Sequence, residues 1–213
     1  MDSISGVGVI DKAMRVMTAL EGGPRALGAL VEVTGLTRAT AHRLAKGLEA
    51  HGLLRRDAEG RFALGFRLVA LGREAARQFS LADAARPALA ALRDQTGESV
   101  QLYVRDGDMR ICVDALESPH GLRTIVEVGA VLPVDKGSAG RVLLGQTGPQ
   151  GWVASVAERE PGVASVSAPV TVGGELVAAV SVSGPVERTG SDPGARYGAA
   201  VVGAATRIEH ASR

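Results

Sequence analysis

The sequence predicts an α+β protein in two parts, a helical N-terminal third and a larger domain of antiparallel sheet with flanking helices. Apolar residues recur with helical spacing in the first part and fall at alternate positions from Glu98 onward. Charge is also uneven: residues 1–79 hold 12 Lys and Arg against 8 Asp and Glu, and residues 80–213 hold 12 against 15. Glycine makes up 28 of the 213 residues, about twice the usual share, which predicts many turns.

Composition excludes several classes of protein. An apolar content of 46% with 22% charge argues against disorder. The single cysteine, Cys112, rules out an intrachain disulfide and a cysteine-rich zinc module. No apolar run approaches the roughly 18 residues of a membrane span, and the N-terminus lacks a signal-peptide pattern. We therefore expect a cytoplasmic protein without a metal or a cofactor.

The N-terminal third has the pattern of a helix-turn-helix. A first helix ends at Gly22 and Gly23, and its predicted inward face consists of Ile10, Ala13, Met14, Met17 and Leu20. A second helix, with Leu27, Leu30 and Val31 inward, ends at Gly35, and a third begins at the predicted N-cap Thr37 and ends near Gly52. Its buried stripe is Ala41, Leu44, Ala45 and Leu48. Two helices joined by a glycine-containing turn predict DNA binding by the third helix.

The outward face of the third helix is polar and basic. An α-helix fits the major groove, where arginine reads guanine or holds phosphate. A basic hairpin follows at residues 53–64, in the position of a wing that contacts phosphates or the minor groove. The predicted DNA-binding residues are Thr37, Arg38, Thr40, His42, Arg43, Lys46, Arg55, Arg56 and Arg61. The alternative is a solvated helix face with ordinary charges, which we favour for Lys46 taken alone.

Several phrases of this sequence resemble the IclR family of bacterial regulators. GVGVIDKAMRVMTALEGG, LTRATAHRLAKGLEAHGLL and GRFALGFRLVALG resemble its winged helix-turn-helix. RDQTGESVQLYVRDGDMRICV, EREPGVASVSAPV and AVSVSGP resemble its effector domain. The resemblance covers about residues 6–208 and looks nearest to an actinobacterial subgroup, the NdgR/AreB type, tied to amino-acid and particularly leucine-biosynthesis operons. It implies a GAF-like effector domain, dimers that are often paired into tetramers, and palindromic operator DNA.

A connecting helix and two hairpins are predicted after the wing. Residues 67–79 should form a helix with Leu68, Ala75 and Phe79 aligned, followed by another in which Pro87 predicts a kink or a fresh start. Alternating apolar residues flank turns at Asp106–Asp108 and at Gly173-Gly174, each of which predicts an antiparallel hairpin. The expected domains are therefore residues 6–66 for DNA binding, 67–79 for the linker and 80–213 for the effector.

Serines on the strand faces opposite the aliphatic residues suggest a ligand pocket. Ser165 and Ser167 lie on one arm of the second hairpin, and Ser181 and Ser183 lie on the other. Hydroxyls and backbone amides can hold a small carboxylate or an amino acid without a charged partner, and Gly137–Gly140 opens a helix whose first N–H groups suit an anion. The resemblance maps the family's effector pocket onto Leu132, Ser138, Ala139, Ser155, Ser165, Ser181 and Ser183. Family members often have acidic or cysteine side chains where Ser155 and Ser165 stand, which leaves the ligand open. The alternative is that these serines only complete hydrogen bonds of the sheet.

Catalytic and metal-binding motifs are not found. The four histidines are scattered, no GxSxG elbow occurs, and Cys112 in an alternating strand is better explained as a small buried hydrophobe. After Gly145 the sequence is shorter than the resembled family, so either the domain is truncated or a loop is missing from the chain; we favour a missing loop, because a deletion would expose apolar sheet.

These observations predict a DNA-binding transcriptional regulator that responds to a metabolite, and they leave repression and activation open. We expect the protein to be nucleoid-associated when bound to DNA. The alternative is a metabolite-binding enzyme or sensor whose N-terminal module contacts protein instead of DNA.

Overall fold

The structure, a computed structural model, describes residues 6–78 and 80–212. The chain divides into two units, Met1–Ala75 and Ala76–Arg213. The first unit contains helices α1 (Gly8–Thr18), α2 (Leu27–Thr34) and α3 (Arg38–Ala50), a hairpin of β1 (Leu54–Arg56) and β2 (Phe62–Leu64), and the beginning of α4 (Arg67–Gln78). Phe79, which the sequence places in line with Leu68 and Ala75, lies outside the described residues.

The first unit confirms the predicted winged helix-turn-helix. Gly35 ends α2 in the left-handed conformation at φ 64°, and the Thr37 hydroxyl caps α3 by accepting a hydrogen bond from the Thr40 amide. The wing is attached to the loop before α2, since Arg25 and Phe62 exchange two backbone hydrogen bonds of 2.9 and 2.8 Å. These local features hold α3 against the hairpin with its polar face outward.

The buried face of α1 differs from the predicted one. Val16 and Leu20 are buried in the core with Leu30 and Phe62, whereas Ile10 and Met14 are 52% and 51% exposed. The reason is that apolar residues occur around more than one face of this helix, and the helices of its own unit cover only the face that contains Val16. The sequence pattern therefore predicted the helix and the inward positions of Met17 and Leu20 correctly, and those of Ile10 and Met14 incorrectly.

The second unit is a six-stranded antiparallel sheet between helices, which confirms the α+β fold class. Its elements are α5 (Ser80–Thr96), β3 (Ser99–Asp106), β4 (Met109–Leu116), β5 (Val131–Pro133), α6 (Gly137–Leu143), β6 (Val153–Val156), β7 (Val163–Val172), β8 (Glu175–Pro185), α7 (Val186–Thr189) and α8 (Pro193–Ala211). The strand order is β5-β4-β3-β8-β7-β6. Both predicted hairpins are present, with turns at residues 107–108 and 173–174.

The two faces of this sheet are covered differently. On one face, Val100, Leu102 and Val180 pack with Leu89 of α5 and Ile208 of α8 in the main core. On the other face, a smaller core forms around α6 and contains Tyr103, Cys112, Val142 and Ala179. Because α6 has only seven residues, it leaves part of this second face free for a cleft.

One connection departs from the sequence-based expectations, and the connection after Gly145 is short. Helix α5 runs without interruption from Ser80 to Thr96, so Pro87 does not begin a new helix; it removes one backbone donor, but the buried face of α5 keeps the two halves in one element. Residues 144–152 join α6 directly to β6 through hydrogen-bonded turns, with Gly145 N–H donating to Val142 and Gly151 N–H to Gly148. Trp152, at the end of this connection, lies against Gly194 and Gly198 of α8.

Two negative findings apply to residues 6–78 and 80–212. No helix there is both long enough and apolar enough to cross a membrane. Within the same ranges, no group of three or more His, Cys, Asp or Glu side chains is placed to hold a metal ion.

Candidate functional site

The outward face of α3 carries two arginines that no acidic side chain neutralises. Arg38 and Arg43 are exposed, and neither forms an ion pair with any residue that the structure describes. His42 is exposed beside them, and Thr40 is half-buried and bonded to the Thr37 hydroxyl at 2.9 Å. These side chains occupy the first two turns of the helix, the part that reaches base edges when a recognition helix enters the major groove.

Other predicted DNA-binding residues are already engaged. Lys46 donates to Glu49 at 2.9 Å, and Arg56 approaches the same carboxylate at 3.4 Å. The Lys46 hydrogen bond lowers the pKa of Glu49 below its ordinary value, so this carboxylate stays ionised. Lys46 therefore brings a compensated charge to this face, whereas Arg38 and Arg43 bring uncompensated ones.

The wing is stabilised by its own arginines. Arg61 donates to Asp57 at 2.7 Å and to Glu59 at 3.2 Å, and the hydrogen bond with Asp57 raises the pKa of Arg61. Arg56 donates to the Gly60 carbonyl at 2.6 Å and lies over the Phe62 ring at 3.6 Å. Both guanidinium groups thus stabilise the turn of the wing. The sequence had predicted only a DNA-contacting role for these two arginines.

Arg55 differs from its two neighbours on the wing. Its guanidinium lies 5.1 Å from the centre of the Phe66 ring, and its Nε atom has no hydrogen-bond partner among the described residues. No described carboxylate pairs with it. Among the three predicted wing arginines, Arg55 is thus the one whose charge no described carboxylate balances.

The second candidate site is a cleft on the α6 face of the sheet. Its cavity volume is about 20 Å³, within a larger space of about 370 Å³ that includes open solvent. Six of the seven residues that the family resemblance indicates line this cleft: Ser138, Ala139, Ser155, Ser165, Ser181 and Ser183. Leu132 is the exception, because β5 places it half-buried at the edge of the sheet, in the small core around α6. Its role in ligand binding stays a prediction.

The cleft serines are bonded to one another. The Ser138 hydroxyl lies 2.7 Å from that of Ser165 and 2.8 Å from that of Ser167. Ser155 lies 3.0 Å from Ser165, and Ser167 donates to Ser181 at 2.9 Å. Strand register explains the cluster, because Ser155, Ser165 and Ser183 are opposite one another, as are Ser167 and Ser181. The hydroxyls therefore form a continuous neutral network, which includes Ser167 from the same strand face as Ser165.

The start of α6 is also less available to an anion than expected. The Ser138 amide donates to the Ser155 hydroxyl at 3.2 Å, so one of the first N–H groups is already satisfied. This hydrogen bond fixes α6 to β6 and closes one side of the cleft. The serines thus fulfil the structural role that the sequence analysis kept open as an alternative, at the same place where a ligand would bind.

Two arginines line the cleft, contrary to the expectation of a site without a charged partner. Arg110 enters from β4 and Arg159 from the loop between β6 and β7. Arg110 is only 3% exposed; its Nη1 donates to the Pro133 carbonyl at 2.7 Å and to the Lys136 carbonyl. Burial lowers its pKa, and the Arg159 charge acts in the same direction.

A sequence signal could have revealed Arg110 but not Arg159. Arg110 stands two residues before the buried Cys112, and alternate residues of a strand share a face, so β4 directs both to the α6 side. Arg159 belongs to a loop, whose conformation no periodicity predicts. Gln101 and Tyr103, which also line the cleft, are on this face for the same reason as Arg110.

The two units together define a class of protein: a DNA-binding transcriptional regulator with a winged helix-turn-helix and a separate antiparallel-sheet domain. The profile of the IclR helix-turn-helix domain matches residues 9–58. The profile of the bacterial transcriptional regulator IclR C-terminal domain matches residues 73–150 and 144–210, two stretches that meet at the short connection after α6. The chain belongs to the IclR family.

Relatives agree with this assignment, and solved structures share the fold. The glycerol operon regulatory protein of Streptomyces griseus is 29% identical over 84% of this chain and 85% of its own length. KipR of Bacillus subtilis is 32% identical over 55% of this chain, and the match spans only 47% of that protein. A transcriptional regulator from Rhodococcus sp. RHA1 superimposes with a TM-score of 0.79 at 25% identity, covering 96% of this chain and 98% of the other. An IclR homologue from Microbacterium hydrocarbonoxydans, complexed with 4-hydroxybenzoate, has a TM-score of 0.81 at 20% identity and covers 95% and 98%.

Proposed function

We propose that this protein represses transcription by binding palindromic operator DNA and that a small carboxylate or amino acid in the serine-lined cleft controls its DNA affinity. The observation that carries the proposal is the pair of exposed arginines, Arg38 and Arg43, without carboxylate partners on the first two turns of α3. Thr37, Thr40, His42 and Lys46 surround them, and Arg55, Arg56 and Arg61 supply the wing. A helix of this kind delivers its charge to the major groove.

The test is duplex binding by the full chain. Fluorescence anisotropy with a labelled duplex from the region upstream of the chain's own gene should give a dissociation constant in the range about 10⁻⁸–10⁻¹¹ M at physiological salt. A scrambled duplex of the same length should bind at least about 10³-fold more weakly. Equal affinity for both duplexes would contradict operator recognition and favour a module that contacts protein.

A dimer or a tetramer is the proposed assembly. Val9, Ile10 and Met14 expose 61%, 52% and 51% of their surface on α1, and exposed apolar surface of this kind marks interaction sites. Two recognition helices related by a twofold axis would read the half-sites of a palindrome. Sedimentation velocity should give twice or four times the 21.8 kDa chain mass, and Ile10→Asp combined with Met14→Asp should shift it toward the monomer.

We further propose that the helix of residues 67–79 transmits the ligand signal and that the regulated genes serve amino-acid biosynthesis of the leucine type. The second proposal rests on the resemblance of RDQTGESVQLYVRDGDMRICV and EREPGVASVSAPV to the NdgR/AreB-type subgroup. The ligand would act by favouring one of two conformations that differ in DNA affinity. Transcript profiling of a deletion strain should show changed expression of such operons; a change confined to glycerol genes would assign the chain to the function of its Streptomyces relatives instead.

A further inference from the structure

The cleft contains a charge imbalance that its hydroxyl network does not resolve. The five-serine network (Ser138, Ser155, Ser165, Ser167 and Ser181) is neutral, and its members already serve as hydrogen-bond partners for one another. The two charged side chains of the lining are Arg110 and Arg159. Among the described residues that line the cleft, none is an Asp or a Glu. The binding surface is therefore cationic over a polar, uncharged floor.

Arg110 is built into the fold rather than placed on its surface. A Cβ atom at Gly140 would lie 2.6 Å from its Nη1 and 2.1 Å from the Val134 carbonyl oxygen, so a glycine is needed for the guanidinium to reach this position. A Cβ at Gly137 would lie 3.8 Å from Nη2. The ring of Tyr103 lies 5.3 Å from the guanidinium on another side.

The Arg110 guanidinium has hydrogen-bonding capacity left. Its Nε atom is buried and has no partner among the residues that the structure describes. Burying a cation without an anion is unfavourable, because the charge loses its hydration and gains no counter-charge. Arg159 adds a second cation at the same cleft, and no described carboxylate pairs with it. An anion bound between Arg110 and Arg159 would give both guanidinium groups a counter-charge.

We propose that this cleft binds a carboxylate through Arg110 and Arg159 and discriminates against the corresponding amino acid. The inference rests on the proposed function, because the cleft is the effector site assigned there, and it decides between the two ligand classes left open. Planar guanidinium groups match carboxylate geometry with paired hydrogen bonds. An ammonium group next to the carboxylate would meet two positive charges and no Asp or Glu among the described residues of the lining; Asp135, which acts on Arg110 from outside the lining, opposes this only in part.

Isothermal titration calorimetry on the full chain tests the proposal with matched pairs of probes. The pairs are pyruvate with L-alanine, 2-oxoglutarate with L-glutamate, and 4-hydroxybenzoate with 4-hydroxybenzamide. At least one of the three carboxylates should bind, and its amino or amide analogue should bind at least about tenfold more weakly. Failure of all three carboxylates to bind, or equal binding of an analogue, would overturn the proposal.

The variant to combine with this titration is Arg159→Gln. Arg110 also holds the Pro133 and Lys136 carbonyls, so its replacement endangers folding, whereas Arg159 is half-exposed. We expect Arg159→Gln to weaken carboxylate binding about tenfold to a hundredfold, the range for one charge-assisted hydrogen bond. Arg105→Gln, an equal charge change at the exposed end of β3, should leave the affinity unchanged. Unchanged affinity in Arg159→Gln refutes the two-arginine site.

Operator binding measured on the same preparations distinguishes a failure of the ligand inference from a failure of the proposed DNA-binding function. If the wild-type chain binds its upstream duplex while all three carboxylates fail, the ligand inference is wrong and the DNA-binding function stands. If the duplex also fails to bind, the proposed function itself is wrong.

Discussion

Removing the two uncompensated charges of α3 should change how DNA binding depends on salt. Arg38 and Arg43 are exposed and have no ion pair among the described residues, so each can replace a counterion on a phosphate without first breaking an internal contact. The perturbation is the double substitution Arg38→Ala with Arg43→Ala. Neither side chain is buried, so we expect the thermal stability of the first unit to be preserved.

The expected magnitude follows from the number of charges. Each phosphate contact contributes about −0.9 to the slope of log K against log of the salt concentration. Loss of two contacts should therefore make the slope shallower by about 1.8 for each bound chain. Between 50 and 200 mM salt, the wild type should lose about 12-fold more affinity than the double variant for each chain, and the square of that factor for a dimer.

Fluorescence anisotropy over that salt range, on the upstream duplex and on a scrambled duplex, measures this slope. Lys46→Ala is the matched control on the same helix, because its charge is already balanced by Glu49 at 2.9 Å; it should change the slope less than either arginine. Arg105→Ala, in the other unit, should not change it.

The two duplexes also separate phosphate contacts from base contacts. If Arg43 reads a guanine, Arg43→Ala should cost about 1–3 kcal/mol on the operator and much less on the scrambled duplex. A double variant with wild-type affinity and wild-type slope on the operator would refute the assignment of α3 as the recognition helix.

Three further predictions concern packing and titration. Gly65→Ala should destabilise the fold by about 1–3 kcal/mol in thermal unfolding followed by circular dichroism, since its Cβ would lie 2.1 Å from the Gly52 carbonyl oxygen; Gly28→Ala, in open space on α2, should stabilise it by about 0.5–1 kcal/mol. Gly198→Ala should shift the fluorescence of the single tryptophan and lower the urea midpoint, because its Cβ would lie 2.4 Å from Trp152 Nε1; Gly203→Ala, whose new contact with Arg207 is 3.5 Å, should do neither. Burial raises the pKa of the Cys112 thiol to about 12, so Ellman's reagent at pH 8 should react with it only in urea, and rapid reaction in the native state would contradict its burial. Because folding holds this thiol protonated, its contribution to stability is present below about pH 9 and is lost as the pH rises toward 12.

Features set by neighbouring residues could be predicted from the sequence. The Thr37 cap, the Gly35 helix end and the Gly173-Gly174 turn each depend on a few adjacent residues, and all three were predicted. The serine cluster was also accessible, because alternation places Ser165 and Ser167 on one strand face and Ser181 and Ser183 on the next. The family resemblance supplied Ser138 and Ser155.

Features set by packing between distant elements could not be predicted in the same way. The apolar residues of α1 surround the helix, so periodicity alone did not identify the face of Val16 as the buried one. Leu132 was assigned to the cleft, but its position depends on the pairing of β5 with β4, in which it is opposite Arg110. Arg159 reaches the cleft through a loop that no pattern describes.

The structure shows which side chains carry the net positive charge of the DNA-binding segment. Residues 36–67 contain seven Lys and Arg and three Asp and Glu, a net charge of +4 because 7 − 3 = 4. All three carboxylates are paired within the segment. Glu49 pairs with Lys46 and Arg56, and Arg61 pairs with both Asp57 and Glu59.

The net charge therefore resides on four particular side chains, Arg38, Arg43, Arg55 and Arg67. Two of them are on the first turns of α3, one is on the wing, and Arg67 donates to the His51 carbonyl at 3.1 Å just beyond the helix. If only these four meet phosphates, this segment contributes a salt slope of at most about −3.6 for each chain. A steeper measured contribution would mean that the ion pairs of the wing open when DNA binds. In that case, substitution of Asp57 by Asn and of Glu59 by Gln should change the salt slope.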